Sequence, residues 1–208
     1  MKKRIISLSV LFAATTAFAG TANETYLELG VGYANFRRNG DSAADANVWR
    51  GVFNYALAQD EPVLIADVRT TLEYANDYSK GDDYFIGNLE AVLGAKVLSI
   101  LKPYAFVGPE LQNYHGFRAL GSEYANDDWR LGLTWGAAVE VEVIPGFLHL
   151  TPYARFSNVD KLERNRYGFD LSVWFSYFGI GADFNYQDFR GQADAEAWQA
   201  SIYAGVRF

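Results

Sequence analysis

His115 and His149 are the only imidazoles in 208 residues, and there is no cysteine. General base chemistry near neutrality and most transition-metal sites would have to draw on these two side chains. No glycine-rich phosphate loop and no metal-spaced histidine cluster accompanies them. The other chemistry on offer is charge. Glu28, Arg50, Asp67, Arg69, Glu73, Glu90, Lys96, Glu110, Arg130, Glu140, Glu142, Arg155, Asp170, Asp183 and Arg207 fall on one face of a period-two pattern. Charges of both signs in a confined space pair, because an unpaired buried charge is expensive. Such a set makes either a salt-bridged plug or the lining of a small polar pore. We expect no catalytic, cofactor-binding or metal residue.

The elements that must position these charges are strands. From Asp128, every second residue is polar or small: Asp128, Arg130, Gly132, Thr134, Gly136, Ala138, Glu140, Glu142. The alternate set is apolar throughout: Trp129, Leu131, Leu133, Trp135, Ala137, Val139, Val141, Val143. A strand this long, with one wholly apolar face, suits a tilted bilayer crossing, which takes about 9–11 residues. The apolar face then meets lipid and the polar face a lumen. About ten such strands are predicted (eight is the alternative): 25–36, 47–58, 63–74, 84–97, 104–117, 128–143, 148–157, 166–177, 180–187 and 196–208. The fold class is all-β, a closed antiparallel transmembrane barrel.

Polar loops are expected at 37–46, 75–83, 118–127, 158–165 and 188–195. Short turns are expected at 59–62, 99–103, 144–147 and 178–179. Long loops after odd strands and short turns after even ones place both termini in the periplasm. Pro109 cannot donate to a ladder, so a bulge or early exit is expected there. Trp49, Phe85, Trp129, Tyr167 and Trp198 begin descending strands, and Tyr33, Tyr74, Phe117, Phe156 and Tyr186 end ascending ones. Together they would form an outer aromatic girdle. His115 and His149 then lie near opposite rims and cannot share a site.

The chain opens with Met1-Lys2-Lys3-Arg4, an apolar stretch over 5–18, and Ala17-Phe18-Ala19. This reads as a Sec-type signal peptide over 1–19, leaving 20–208 as one barrel domain. Removing Lys2, Lys3 and Arg4 takes the net charge from −7 to −10. An acidic chain of this kind is a poor nucleic-acid partner. No apolar run after the signal is long enough for a membrane helix. Aromatic residues are 16 % of the chain, and mean hydropathy is near zero, as a wall of alternating faces requires.

Phe208, in step with Val206, Ala204 and Ile202, resembles the C-terminal assembly signal of Gram-negative outer-membrane β-barrels. That resemblance implies recognition by the barrel-assembly machinery and a place in the outer membrane, among lipid and lipopolysaccharide. Two families of small barrel enzymes bear on the same residues. The lipid A deacylases carry His-x-Ser-Asn on an outward wall; here Arg155-Phe156-Ser157-Asn158 matches the serine and asparagine but lacks the base that activates the serine. The omptin proteases are ten-stranded, with an Asp pair and an Asp–His pair at the rim. Asp82-Asp83 and Asp127-Asp128 approach that pattern without an Asp-x-His.

Tyr78, Tyr124 and Phe189 are read as loop aromatics. Arg37, Arg38, Lys161, Arg164 and Arg166 are read as cations that could meet lipopolysaccharide phosphates. The expected role is non-enzymatic, structural or surface-interacting, with a mostly plugged polar lumen. The alternatives are a narrow porin-like channel for small solutes and a lipid A-modifying enzyme.

Overall fold

A computed structural model describes residues 22–77, 83–98, 100–115, 117, 120, 128–160, 162–191 and 195–208. The segment read as a signal peptide lies outside these. Ten antiparallel strands make one closed barrel: β1 (Tyr26–Arg38), β2 (Asp41–Ala56), β3 (Leu64–Asp77), β4 (Asp83–Ala95), β5 (Leu101–Asn113), β6 (Arg130–Ile144), β7 (Leu148–Val159), β8 (Leu162–Phe175), β9 (Phe178–Gly191) and β10 (Ala195–Arg207). Each pairs with its neighbours in sequence, and β1 closes the ring by pairing with β10. Closure leaves no edge strand to aggregate.

The alternation works as expected over most of the wall. Leu27, Leu29, Leu72, Leu93, Leu131, Phe169, Ile180 and Ile202 point outward and are exposed. Glu28, Arg69, Glu110, Glu140, Asp170 and Asp183 point inward and are fully buried. An apolar belt this continuous has no place against water. The girdle closes through ring contacts, Tyr186–Trp198 at 4.9 Å, Phe85–Trp129 at 5.6 Å and Phe156–Tyr167 at 5.9 Å.

Six expectations are corrected. The polar loop at 37–46 is mostly strand: β1 runs to Arg38 and β2 starts at Asp41. The turn between them is Asn39-Gly40, both at positive φ (53° and 85°), the hairpin turn that suits this dipeptide. The loops at 158–165 and 188–195 shrink likewise, because β7 reaches Val159, β8 begins at Leu162, β9 reaches Gly191 and β10 begins at Ala195. The turn placed at Phe178-Gly179 falls at Ser176 and Tyr177, with Ser176 at φ 56°.

At Pro109 there is neither bulge nor exit. Asn88 pairs with Glu110 and Ala91 with Val107 in one unbroken register, and only the rungs between them are missing. The missing proline N–H explains the gap. Gly108 lets the strands close over it, since a Cβ there would lie 1.8 Å from the Leu89 carbonyl oxygen. Finally, Phe117 is not in the girdle; it is fully buried inside the barrel mouth.

Candidate functional site

The lumen concentrates buried charge, and it divides into three levels. At the middle level, strands on opposite walls are bridged by ion pairs. Arg166 on β8 holds Glu73 on β3 with Nη2 at 3.0 and 3.1 Å from the two carboxylate oxygens. In a ten-strand ring β3 and β8 are five strands apart in either direction, so this pair crosses the full bore. Arg164 reaches Glu110 on β5 at 3.0 Å, and Arg155 on β7 reaches Glu90 on β4 at 2.8 Å. Tyr84 donates to Glu73 at 3.0 Å, and Gln187 accepts from Arg166 at 3.2 Å. A barrel of about eight strands is filled by its own side chains. At ten strands, arginine–glutamate pairs still span the gap.

Sequence reasoning misses two of these cations. Arg164, expected in the loop at 158–165, and Arg166, expected at the start of the strand at 166–177, both as cations toward lipopolysaccharide, are buried at 2 % exposure inside the lumen. The signal was present, because Leu162, Arg164, Arg166 and Gly168 keep the inward step of Asp170. The remaining inward set behaves as expected, with one exception. Lys96 turns to the rim and donates to the Glu61 carbonyl at 2.8 Å. Arg37 and Arg38 are exposed as expected; Lys161, Tyr78 and Tyr124 lie outside the described residues.

Above the ion pairs, the mouth on the side of the β1–β2 turn is apolar. Phe36, Tyr84, Tyr114, Phe117, Leu120, Leu162 and Phe189 form one buried cluster. Phe36 and Phe117 meet edge-on at 4.8 Å, and Tyr84 and Phe117 at 5.1 Å. Phe189, read as a loop aromatic, is therefore a plug residue.

The opposite mouth is closed by the segment preceding β1. The Ala22 amide donates to Glu140 at 2.6 Å and the Asn23 amide to Asp67 at 3.0 Å. Ala22 packs, buried, with Ile65, Tyr104, Phe106 and Ala138. Asn54 ties the Glu24 carbonyl at 2.8 Å, and Arg207 holds the Glu24 carboxylate at 3.0 Å.

Glu140, Glu142 and His149 come together beside this segment, their ligand-capable atoms all within 4.8 Å. The tight β6–β7 turn does this by pairing Glu142 with His149 across the ladder. The Lys102 ammonium lies 2.8 Å from both carboxylates, so the cluster already carries its cation. His149 Nδ1 is 3.1 Å from Glu140. His115 stands at the other mouth, exposed, as its rim position implied.

Among the described residues, those of the two enzyme patterns do not assemble. Ser157 faces the lumen and Asn158 faces outward, so the two cannot act together on an outer wall. Asp83 accepts from the girdle Tyr74 hydroxyl at 2.9 Å, and Asp128 is exposed; Asp82 and Asp127 lie outside the described residues.

Outside the barrel, just above the girdle, the wall is charged. Tyr33 donates to Asp45 at 2.5 Å and Asn35 donates to it at 2.8 Å. The tyrosine hydroxyl first, and the amide second, hold the Asp45 carboxyl below its ordinary range.

No protein family and no curated protein matches the chain. Among solved structures it is similar to Neisserial surface protein A, at 13 % identity and a TM-score of 0.41 over 88 % of this chain and 97 % of that one. It is similar to Ail, the attachment invasion locus protein of Yersinia pestis, solved with the heparin analogue sucrose octasulfate, at 11 % identity and 0.41 over 89 % and 98 %. It is also similar to the KdgM porin in complex with oligogalacturonate, at 8 % identity and 0.43 over 88 % and 99 %. These likenesses concern the fold and assign no role.

Proposed function

We propose that this chain is a non-enzymatic outer-membrane barrel whose lumen is closed and whose work is done by its outer surfaces, in a structural or surface-interaction role. The observation that carries the closed lumen is the Arg166–Glu73 pair across the full bore. The aromatic cluster at one mouth and the Ala22–Glu24 segment at the other support it. The apolar belt and its aromatic girdle support the membrane setting, with lipopolysaccharide as the surrounding lipid. Phe208, 69 % exposed at the end of β10, is the residue offered to the barrel-assembly machinery.

Two measurements test this together. Boiled and unboiled membrane fractions should differ in gel mobility, because a closed barrel resists detergent until heated. The purified protein in planar bilayers should be electrically silent. A protein that stays in the periplasmic fraction and shows no mobility shift removes the membrane reading; steady unitary conductance removes the closed lumen.

A second reading, a narrow solute channel, draws on the hydroxyls of Thr71, Thr151 and Ser157. All three are buried against the lumen without a protein partner. Buried hydroxyls take a hydrogen-bond partner, so these would suit a file of water. The same conductance record decides between the two.

A further inference from the structure

The lumen charges do not all meet an opposite. At the middle level each arginine of the cross-bore pairs has its glutamate. Between that level and the mouth closed by Ala22, two aspartates stand side by side instead. Asp170 of β8 and Asp183 of β9 are direct partners across the ladder, both inward and fully buried. Thr151 of β7 continues the same rung beside Asp170 and is fully buried too. Neighbouring side chains on one rung stand about 4.5–5.5 Å apart at Cβ, so the two carboxylates share one small volume, and like charges so placed repel.

The surroundings hold these carboxylates in place. Tyr203 donates to Asp170 Oδ1 at 2.9 Å, and Tyr153 to Asp183 Oδ2 at 2.7 Å. Each hydroxyl sits over a glycine. A Cβ at Gly181 would come within 2.0 Å of the Tyr203 oxygen, and one at Gly168 within 2.7 Å of the Tyr153 oxygen. The Asn185 amide donates to Asp183 Oδ1 at 2.5 Å. Three oxygens then have no partner among the described residues: Asp170 Oδ2, Asn185 Oδ1 and Thr151 Oγ1. All three side chains are at 3 % exposure or less. Buried acceptors take a partner. Water could satisfy the lone pairs but not the charge. Glu28 of β1 adds a third carboxylate to the field at Asp170, and Arg50 of β2 opposes both aspartates. Arg166 also acts on Asp183, but Glu73 holds it. Among the described residues, three carboxylates thus face one guanidinium, an excess of two negative charges. An uncompensated buried charge is costly.

We propose that this rung is a site for one divalent cation, held by Asp170 and Asp183 with the Asn185 carbonyl and the Thr151 hydroxyl. A set made of oxygens selects a hard ion. It favours calcium over magnesium, because calcium accepts several protein oxygens in loose geometry whereas magnesium keeps its waters. The acids at the lower mouth are not equivalent, since the Lys102 ammonium already lies 2.8 Å from both Glu140 and Glu142. The site depends on the barrel fold alone and holds for a closed or a conducting lumen.

The test is metal content by plasma mass spectrometry, together with the temperature of the gel-mobility shift. The full chain is unfolded in urea and refolded in detergent with calcium, magnesium or a chelator. Wild type should keep one divalent ion per chain and shift at a higher temperature with it than in chelator. Asp170→Asn, nearly isosteric, should lower the bound ion by at least about tenfold and abolish the effect of metal on the shift. Thr151→Val keeps the side-chain shape and should lower retention about tenfold. Glu142→Gln, in the Lys102 cluster, should change neither reading. A wild type that holds no divalent ion overturns the site, as does loss of the ion through Glu142→Gln rather than Asp170→Asn. Two aspartates sharing a proton would leave wild type indifferent to metal, which overturns it as well. A metal-free wild type that still shows the heat-dependent shift and sits in the outer membrane sinks the cation site and leaves the barrel reading standing. A chain absent from the outer membrane sinks that reading and leaves the site to the metal measurement.

Discussion

Follow β1 across the girdle and its two faces exchange character. Below Tyr33 the outward residues are Leu27, Leu29 and Val31; above it they are Asn35 and Arg37. Inward, Glu28, Gly30 and Gly32 give way to Ala34 and Phe36. β9 and β10 do the same: Phe184 and Trp198 face out below, Asp188 and Glu196 above, while Asp183 and Gln199 face in below, Phe189 and Ala197 above. The lower barrel has a polar interior and an apolar exterior; the upper barrel has an apolar core and a charged exterior. The backbone runs on through the girdle: β1–β10 and β9–β10 keep one register throughout, and β1–β2 shifts only above it, between Phe36 and Arg37. What changes is the solvent outside, from hydrocarbon to water, and each side chain follows the cheaper partner.

If that contrast is right, removing one half of a lower-lumen pair should hurt most. Glu73→Ala strands Arg166 in a buried site and should cost about 3–5 kcal/mol. Urea unfolding of the reconstituted barrel measures it. A charge on the belt comes next: Ile202→Arg, mid-wall, should cost about 2–4 kcal/mol in bilayers. The matching change above the girdle, Glu163→Ala on the exposed face, should stay within about 0.5 kcal/mol. If Ile202→Arg proves as mild as Glu163→Ala, the belt is not in lipid and the inversion loses its cause. Within the plug, Phe36→Leu keeps most of the volume and should cost less than about 1.5 kcal/mol. A larger loss would mean that the aromatic edges, rather than bulk, hold the mouth shut.

The smallest effect is one of pH. Asp45 has its folded pKa depressed by Tyr33 and Asn35. It therefore contributes stability that is present above its unfolded pKa of about 3.9 and fades as pH falls below that through the folded value. Tyr33→Phe should weaken that contribution, seen as a smaller drop in unfolding midpoint between neutral and acid solution than wild type shows. An unchanged drop would detach the upper collar from the girdle.

The period-two pattern made most of the fold legible. Ten strands, both faces of the lower wall and the closed antiparallel class follow from alternation, since a side chain can point only in or out. The same pattern misled above the girdle. Residues 37–46 and 158–165 lack the apolar-out phase, so they read as loops although Asn39-Gly40 is a hairpin signal in its own right. Arg164 reads as a loop cation for this reason and Arg166, at the edge of the expected strand, as its surface neighbour, while Phe117 and Phe189 read as outside rather than in the plug.

By itself the sequence determined which residues of the lower wall alternate and that charges of both signs share one face. Only the tertiary structure decided which charges meet. Arg166 and Glu73 are 93 residues apart and become partners because a closed ring of ten strands sets β3 opposite β8. Ring closure is a global constraint, and no local spacing encodes it. The meetings of Ala22 with Glu140 and of Asn23 with Asp67 arise the same way. Each needs strands distant in the chain to arrive at one height on the wall.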